Sequence, residues 1–399
     1  MIQIGLVYNN DLKGPTQGGG FSIQEELINN IDKIRDENIQ LNLICLNINN
    51  ELIIKHKNKF EKILHLKRNI YDKFRENLIR NFSFFSERGN YLSQLDKLCV
   101  KNNLDLIIFL DDIHTIKTNF PYVTNVYDVD HLIYSFFPEH SKKNKWYKRE
   151  NNYRNHLRKA SGIISGTECG IKQIKEYYGI PSNKLFKIPH PAIKPKKDFE
   201  ENKKYIEKLG LRRNKFLFYP AQFWAHKNHK SLINLAQKIK NDAKIDIQIV
   251  LSGSDKGNLD FIKQQINEKD LNDVIKYIGF INRSELFTLY KNCLALSYVS
   301  YGGPENLPPL EAFSVGCPVI ATKNTGSIEQ LEDGAILIDP DNSDEFIESI
   351  VKLQNEKYKD DLIKKGKKIS EKKSIDNFMI ELKSLILSLK KYIDTWKNV

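Results

Sequence analysis

Short apolar runs alternate along this chain with stretches whose apolar residues recur every three or four positions. In the first half, residues 2–8, 104–110, 122–126 and 162–165 read as strands. In the second half the runs 216–218, 247–251, 274–280 and 295–297 do the same, and Val319-Ile320 adds a β-branched pair. Runs that are apolar throughout, bounded by turn residues and separated by helical spacing, are what a parallel sheet buried on both faces requires. Helical patterns begin at Ile23 and Ser231, cover 286–290, and end in an amphipathic series at Phe378, Ile380, Leu382, Leu385, Ile386 and Leu389. Residues 195–207 are charged and lack apolar periodicity, so the boundary falls there. The pattern predicts an α/β protein of two doubly wound domains, 1–195 and 211–372, joined by a linker at 196–210. A terminal helix at 373–399 follows.

The loops between these elements carry the chemistry. From Tyr301 to Thr322 the chain reads as strand end, glycine turn, short helix and strand. Asn306 is expected to cap that helix, Pro308 or Pro309 to occupy its first turn, and Gly316 to stop it. Its N-terminus would offer free N–H groups and a positive dipole end to an anion. Glu311 lies one turn further on and suits a vicinal diol, so the pair reads as phosphate plus ribose. Upstream, the strand 216–218 opens into a polar loop holding Gln222, His226, Lys227 and Lys230, where an open α/β sheet binds its ligands. Near the start, Gly18, Gly19 and Gly20 would let backbone N–H groups approach a phosphate.

These segments resemble the donor site of family 4 glycosyltransferases, retaining enzymes of the two-domain GT-B fold. The match is to a subgroup with a Gly-Pro-x-Asn-Leu-Pro-Pro-Leu-Glu motif, here residues 303–311. The resemblance implies that Glu311 binds the donor ribose and Lys227 the pyrophosphate. Gln222 stands where an Arg is common, and Gly303 where the first of two glutamates is expected, with Glu305 nearby. It further places Gly18, Gly19, Gly20, Gly253, Glu305, Asn306 and Leu307 around the donor. Tyr127 replaces a frequent His, and Asp128 with His131 become the catalytic-side candidates. A capping Asp and a structural His are the other readings of those two. Glu168 falls where the family has an acceptor-side Ser-Glu, although capping or pairing also explains it. The terminal helix is expected to cross back to the first domain.

Asp128-Val129-Asp130 imitates the metal-binding Asp-x-Asp of another glycosyltransferase fold. Lys227 and the helix dipole already supply the neutralising charge, so no metal and no cofactor beyond the co-substrate is expected. The composition fits this picture: 399 residues suffice for two cores, and 40% hydrophobic with 28% charged residues is ordinary for a globular protein. Nowhere do about eighteen apolar residues run together, and the chain opens on a core strand rather than a basic leader. Five scattered cysteines argue against a disulfide framework or zinc cluster and fit a reducing cytoplasm. The formal charge of +12 and the basic, aromatic run 142–149 suit an anionic membrane surface or an acceptor carrying a lipid phosphate. The expected partners are a nucleotide sugar and a glycan or lipid-linked acceptor, used in cell-surface polysaccharide synthesis at the inner face of a membrane. Nucleic acid is not expected. A silent sugar-nucleotide binder, a basic nucleic-acid-binding protein and a merely solvated basic helix remain alternatives.

Overall fold

The structure is a computed structural model that describes residues 1–8, 19–45, 55–66, 93–112, 118–242 and 244–395. Two wholly parallel sheets form its frame. The first holds β1 (Ile2–Tyr8), β2 (Ile39–Cys45), β3 (Lys62–His65), β4 (Leu106–Asp112), β5 (Tyr122–Asn125), β6 (Gly162–Ser165) and β7 (Leu185–Lys187), in the order β3-β2-β1-β4-β5-β6-β7. The second holds β8 (Phe216–Pro220), β9 (Gln248–Ser252), β10 (Ile275–Tyr277), β11 (Ala295–Tyr298), β12 (Val319–Thr322) and β13 (Ile336–Ile338), in the order β10-β9-β8-β11-β12-β13. Register follows the apolar pattern: Ile2 faces Ile39, Ile4 faces Leu41, and Leu6 faces Leu43. All six are buried, which is why these strands read as unbroken apolar runs.

The helices that position the site are α1 (Gly19–Asn30), α2 (Asp130–Ile133), α3 (Lys145–His156), α4 (Glu168–Tyr178), α5 (Lys203–Lys208), α6 (His229–Asn241), α7 (Arg283–Asn292), α8 (Leu307–Ser314), α9 (Thr325–Leu331) and α10 (Ile375–Ile393). The charged stretch at 196–210 contains α5, whose Ile206 is buried in the second domain's core beside Leu211 and Phe216. One apolar position sufficed to dock that turn, too few to show as a period.

Helix α10 packs against the first domain. Phe378, Met379, Leu382, Leu385, Ile386, Leu389 and Ile393 are buried with Ile2, Leu27 and Ile34 in the first core. Each such side chain contributes roughly 1.5–3 kcal/mol by leaving water, so this strap is a major tie between the domains. A second tie is polar. The N–H groups of Glu168 and Cys169 in the first turn of α4 donate to the Glu329 carboxylate of α9 at 2.6 and 2.9 Å. An anion at a helix N-terminus is the favourable arrangement there.

Candidate active site

The carboxyl ends of both sheets face one cavity of about 520 Å³ between the domains. From the second domain come the loop after β8 with Gln222, Trp224, His226 and Lys227; Ser252 at the end of β9 and Gly253 just after it; Arg283 after β10; Tyr298 at the end of β11; and the 303–311 segment. From the first come Gly19 and Gly20 of α1, Tyr127, Asp128 and Asp130 after β5, and His190 after β7. This is where open α/β sheets bind ligands.

Gly253 is required sterically. Its φ is +154°, and a Cβ there would lie 2.1 Å from the carbonyl oxygen of Ala221, locking the ends of β8 and β9 together. Lys227 reaches the cavity with its ammonium donating to Tyr298 Oη at 3.1 Å and Ser300 Oγ at 3.3 Å. Both partners are neutral, so the charge is not cancelled. Gln222 is turned toward Trp224, whose indole N–H donates to its Oε1 at 2.9 Å. Glu311 is 7% exposed and accepts from Tyr290 Oη at 3.2 Å. Burial pushes its carboxyl above the usual range, against the Arg283 charge and the Tyr290 hydrogen bond.

The helix end differs from the expectation. Asn306 precedes α8 but makes no capping hydrogen bond. Its Oδ1 accepts from Tyr298 Oη at 2.7 Å, and its Nδ2 donates to the Gly303 carbonyl. The reason lies in Pro308 and Pro309: at the second and third helical positions they lack the N–H groups a capping side chain would bind. Fewer N–H groups are therefore on offer than expected, because the Asn306 N–H is also taken, by Gln330 Oε1 at 2.9 Å. Leu307 and the dipole remain.

Glu305 lies at the cavity but is committed elsewhere. The His190 N–H donates to it at 3.0 Å, and the His190 ring nitrogen Nδ1 pairs with its other oxygen. Both residues are about 5% exposed, and a Cβ on Gly166 would strike the Glu305 carboxylate. Glu305 thus joins the two domains. Gly19 and Gly20 are the first residues of α1 rather than a free loop, and Gly18 lies outside the described residues.

Asp128 and His131 part company. Asp128 lines the cavity and accepts from Arg149 Nη2 at 2.9 Å and from the Asp130 N–H at 2.8 Å. Burial opposes its ionisation more than any one group favours it, but the Arg149 guanidinium and the Asp130 N–H together hold the carboxyl below its ordinary range. Its neighbour Asp130, buried and facing the charge of Asp128, is pushed the other way. His131 is fully buried away from this cavity, with Nε2 3.1 Å from Glu150 Oε2 and 3.3 Å from Tyr178 Oη. Burial, helped by the Arg149 charge, lowers it to about 4, so the imidazole is neutral. Glu168 lines neither cavity described here and pairs with Lys187 at 3.0 Å. Lys230 is exposed outside both.

A second cavity of about 490 Å³ adjoins the first and shares Asp128, Trp224 and His226 with it. His131, Glu139, His140, Lys145, Lys148 and Arg149 complete much of its wall. Glu139 accepts from the His226 N–H at 2.8 Å and faces His226 Nδ1 at 2.5 Å. Burial works against its charge, yet these bonds hold it down to about 2. The run 142–149 is thus not all surface, since Lys145, Lys148 and Arg149 face this cavity. Arg283, Tyr290, Tyr298, Trp224 and His190 were missed by sequence reasoning. Arg283 has a buried guanidinium nitrogen, Nη2, without a hydrogen-bond partner. Its one signal was its place just after a strand's carboxyl end.

The family model for glycosyl transferases group 1 matches residues 201–369. O-antigen chain mannosyltransferase B of Escherichia coli is 22% identical over 226 residues, covering 56% of this chain and 59% of its own length. O-antigen chain mannosyltransferase RfbU of Salmonella typhimurium is 27% identical over 181 residues, 45% of this chain and 47% of its own. The chain therefore spans only about half the length of these relatives. Among solved structures, Anabaena Alr3699/HepE in complex with UDP-glucose superposes with a TM-score of 0.68 at 16% identity, over 97% of this chain and 100% of that one. Sucrose-phosphate synthase from Thermosynechococcus elongatus gives 0.73 at 15%, over 98% and 100%. The fold is GT-B, and its second domain carries the match to glycosyl transferases group 1.

Proposed function

We propose that the chain is a retaining glycosyltransferase that moves a sugar, of the hexosyl class, from a nucleotide-diphosphate donor to a glycan or lipid-linked acceptor in cell-surface polysaccharide synthesis. The observation that carries this reading is the convergence of Lys227, Glu311 and the α8 end on one interdomain cavity. The O-antigen mannosyltransferases and the UDP-glucose complex support the donor class and the polysaccharide context.

In this reading Glu311 accepts hydrogen bonds from the ribose. Lys227 and the α8 dipole offset charge on the departing diphosphate, an effect that usually dominates such catalysis, and no metal is assigned. The acceptor hydroxyl enters from the second cavity and attacks on the face the diphosphate leaves. Arg149 offsets Asp128, and burial keeps His226 neutral beside the Glu139 carboxylate, so Lys145 and Lys148 together outweigh Glu139 and leave that cavity net positive, which favours an acceptor bearing a phosphate. Tyr147, next to Lys148 in sequence, is 65% exposed and Phe136 is 72% exposed, apolar surface suited to the anionic inner face of a membrane. Among the described residues no helix is long and apolar enough to cross one.

A thermal-shift screen of nucleotide sugars tests the proposal. The right donor at a hundred times its dissociation constant adds about 2.7 kcal/mol of stability. Glu311→Ala should weaken that donor by roughly 1.5–3 kcal/mol per lost ribose bond, with the apo fold intact. If no nucleotide sugar raises the unfolding temperature, the proposal falls.

A further inference from the structure

Four of the carboxylates near the meeting of the two domains are Asp128, Asp130, Glu139 and Glu305. Three of them are paired, with Arg149, His226 and His190 respectively. Asp130 makes no ion pair among the described residues, although it is only 6% exposed and lines the donor cavity. A buried carboxyl without a charged partner is costly to ionise.

The opposite domain makes room for it. A Cβ on Gly302 would lie 2.3 Å from Asp130 Oδ2, so any larger residue there would evict the carboxyl. The Gly303 backbone acts on it as a hydrogen-bond partner, and the Lys227 charge reaches it. Gly303 has φ +91°, a region that favours glycine. Contacts connect this corner to the diphosphate end of the cavity: Lys227 donates to Ser300, and Ser300 Oγ donates to the Gly302 carbonyl at 3.2 Å. Glu311, Tyr290 and Arg283 form a separate group. A sugar attached beyond a diphosphate held by Lys227 has Asp130 as its neighbour.

We infer that Asp130, reaching across from the first domain into the space left by Gly302, hydrogen-bonds hydroxyls of the donor's sugar and helps decide which sugar the site accepts. The inference rests on the nucleotide-sugar reading above. It also makes the sugar, not the nucleotide, the part of the donor that bridges the domains. Burial and the Asp128 charge favour the protonated carboxyl, which can donate as well as accept toward a hydroxyl.

The experiment compares affinity for the donor nucleotide sugar with affinity for the matching nucleoside diphosphate, by calorimetry, in wild type, Asp130→Ala and Gly302→Ala. Loss of one or two hydrogen bonds to a sugar should weaken the nucleotide sugar about 10–100-fold. The nucleoside diphosphate should change less than about twofold. Gly302→Ala should reproduce the selective loss, because it displaces the carboxyl without deleting it. Equal losses for both ligands, or none for either, overturn the role of Asp130 and leave the enzyme reading standing. If wild type binds the nucleoside diphosphate but gains nothing from any sugar, the inference is overturned as well. If wild type binds neither ligand class, the nucleotide-sugar reading fails and the inference fails with it.

Discussion

The two walls of the cleft hold their charges in different ways. In the second domain, Lys227 is bound by the hydroxyls of Tyr298 and Ser300, and Glu311 by the hydroxyl of Tyr290. Neutral donors and acceptors orient these groups without cancelling them. In the first domain charge is met by charge: Arg149 by Asp128, and Arg154 by Glu150. Across the gap, the rings of His190 and His226 are hydrogen-bonded to the carboxylates of Glu305 and Glu139. Such paired groups gain most of their energy within the protein and have little left for a ligand. The second wall is prepared to bind, and the first is braced to hold its shape. Asp130 is the exception that links them.

The strongest way to break this contrast is Lys227→Ala. If its uncancelled charge stabilises the departing diphosphate, turnover should fall by on the order of 10²–10³, or about 2.7–4 kcal/mol, as for loss of one preorganised donor. Steady-state rates measured with and without EDTA check it. Turnover abolished by EDTA and restored by manganese would move the burden to Asp128 and Asp130, and the first wall would then be the binding one.

How much of each wall the sequence disclosed follows from the same difference. Lys227 and Glu311 sit at fixed offsets from strand ends within local segments, so a pattern read along the chain finds them. The pairs on the other side join residues far apart in sequence, 115 positions for His190 and Glu305 and 87 for His226 and Glu139. No local pattern carries them, so the pairing of Glu305 with His190 was not legible. The α/β organisation and the returning helix α10 were legible because burial imposes a period. Asn306 failed as a cap for a local reason that was in view: the two prolines after it remove its targets. The turn in the charged stretch at 196–210 hid because one buried residue, Ile206, makes no period.

Acid sharpens the contrast next. His131 is held at about 4 by burial and the Arg149 charge, below the roughly 6.5 of an unfolded chain. A lowered folded value means the unfolded state binds the proton more readily. Stability is therefore complete above about pH 6.5 and drains away as pH falls toward 4, by about 3 kcal/mol for this group. His140 and His229, lowered to about 4 and 3, add in the same direction. Glu139, held near 2, adds its loss only below about pH 4.5. Urea unfolding from pH 4 to 8 should show His131→Gln with a shallower slope between 4 and 6.5 than wild type. Identical slopes would mean that folding does not depress proton binding at His131, and that its burial is not part of the brace.

The smallest effect separates the two duties of the basic segment. Lys142 and Lys143 line neither cavity, whereas Lys145 and Lys148 face the second one, and the Lys145 ammonium lies 5.3 Å over the Trp224 ring. Attraction to an anionic membrane is worth about 1 kcal/mol per basic residue near the surface and fades within about 8 Å at physiological salt. Replacing either pair by Gln should therefore weaken co-sedimentation with anionic liposomes by about 2 kcal/mol, and less as salt rises. Only the second pair should also raise the KM for a phosphate-bearing acceptor, because only it reaches the cavity beside the donor. Exposed Phe136 and Tyr147 should preserve some binding at high salt through burial at the interface. Equal sedimentation of wild type and both variants would leave 142–144 a solvated turn. An unchanged acceptor KM for Lys145→Gln with Lys148→Gln would remove charge from the account of the second cavity. The charged pairs of the first wall would then be a brace throughout, with the contact proposed for Asp130 as the exception.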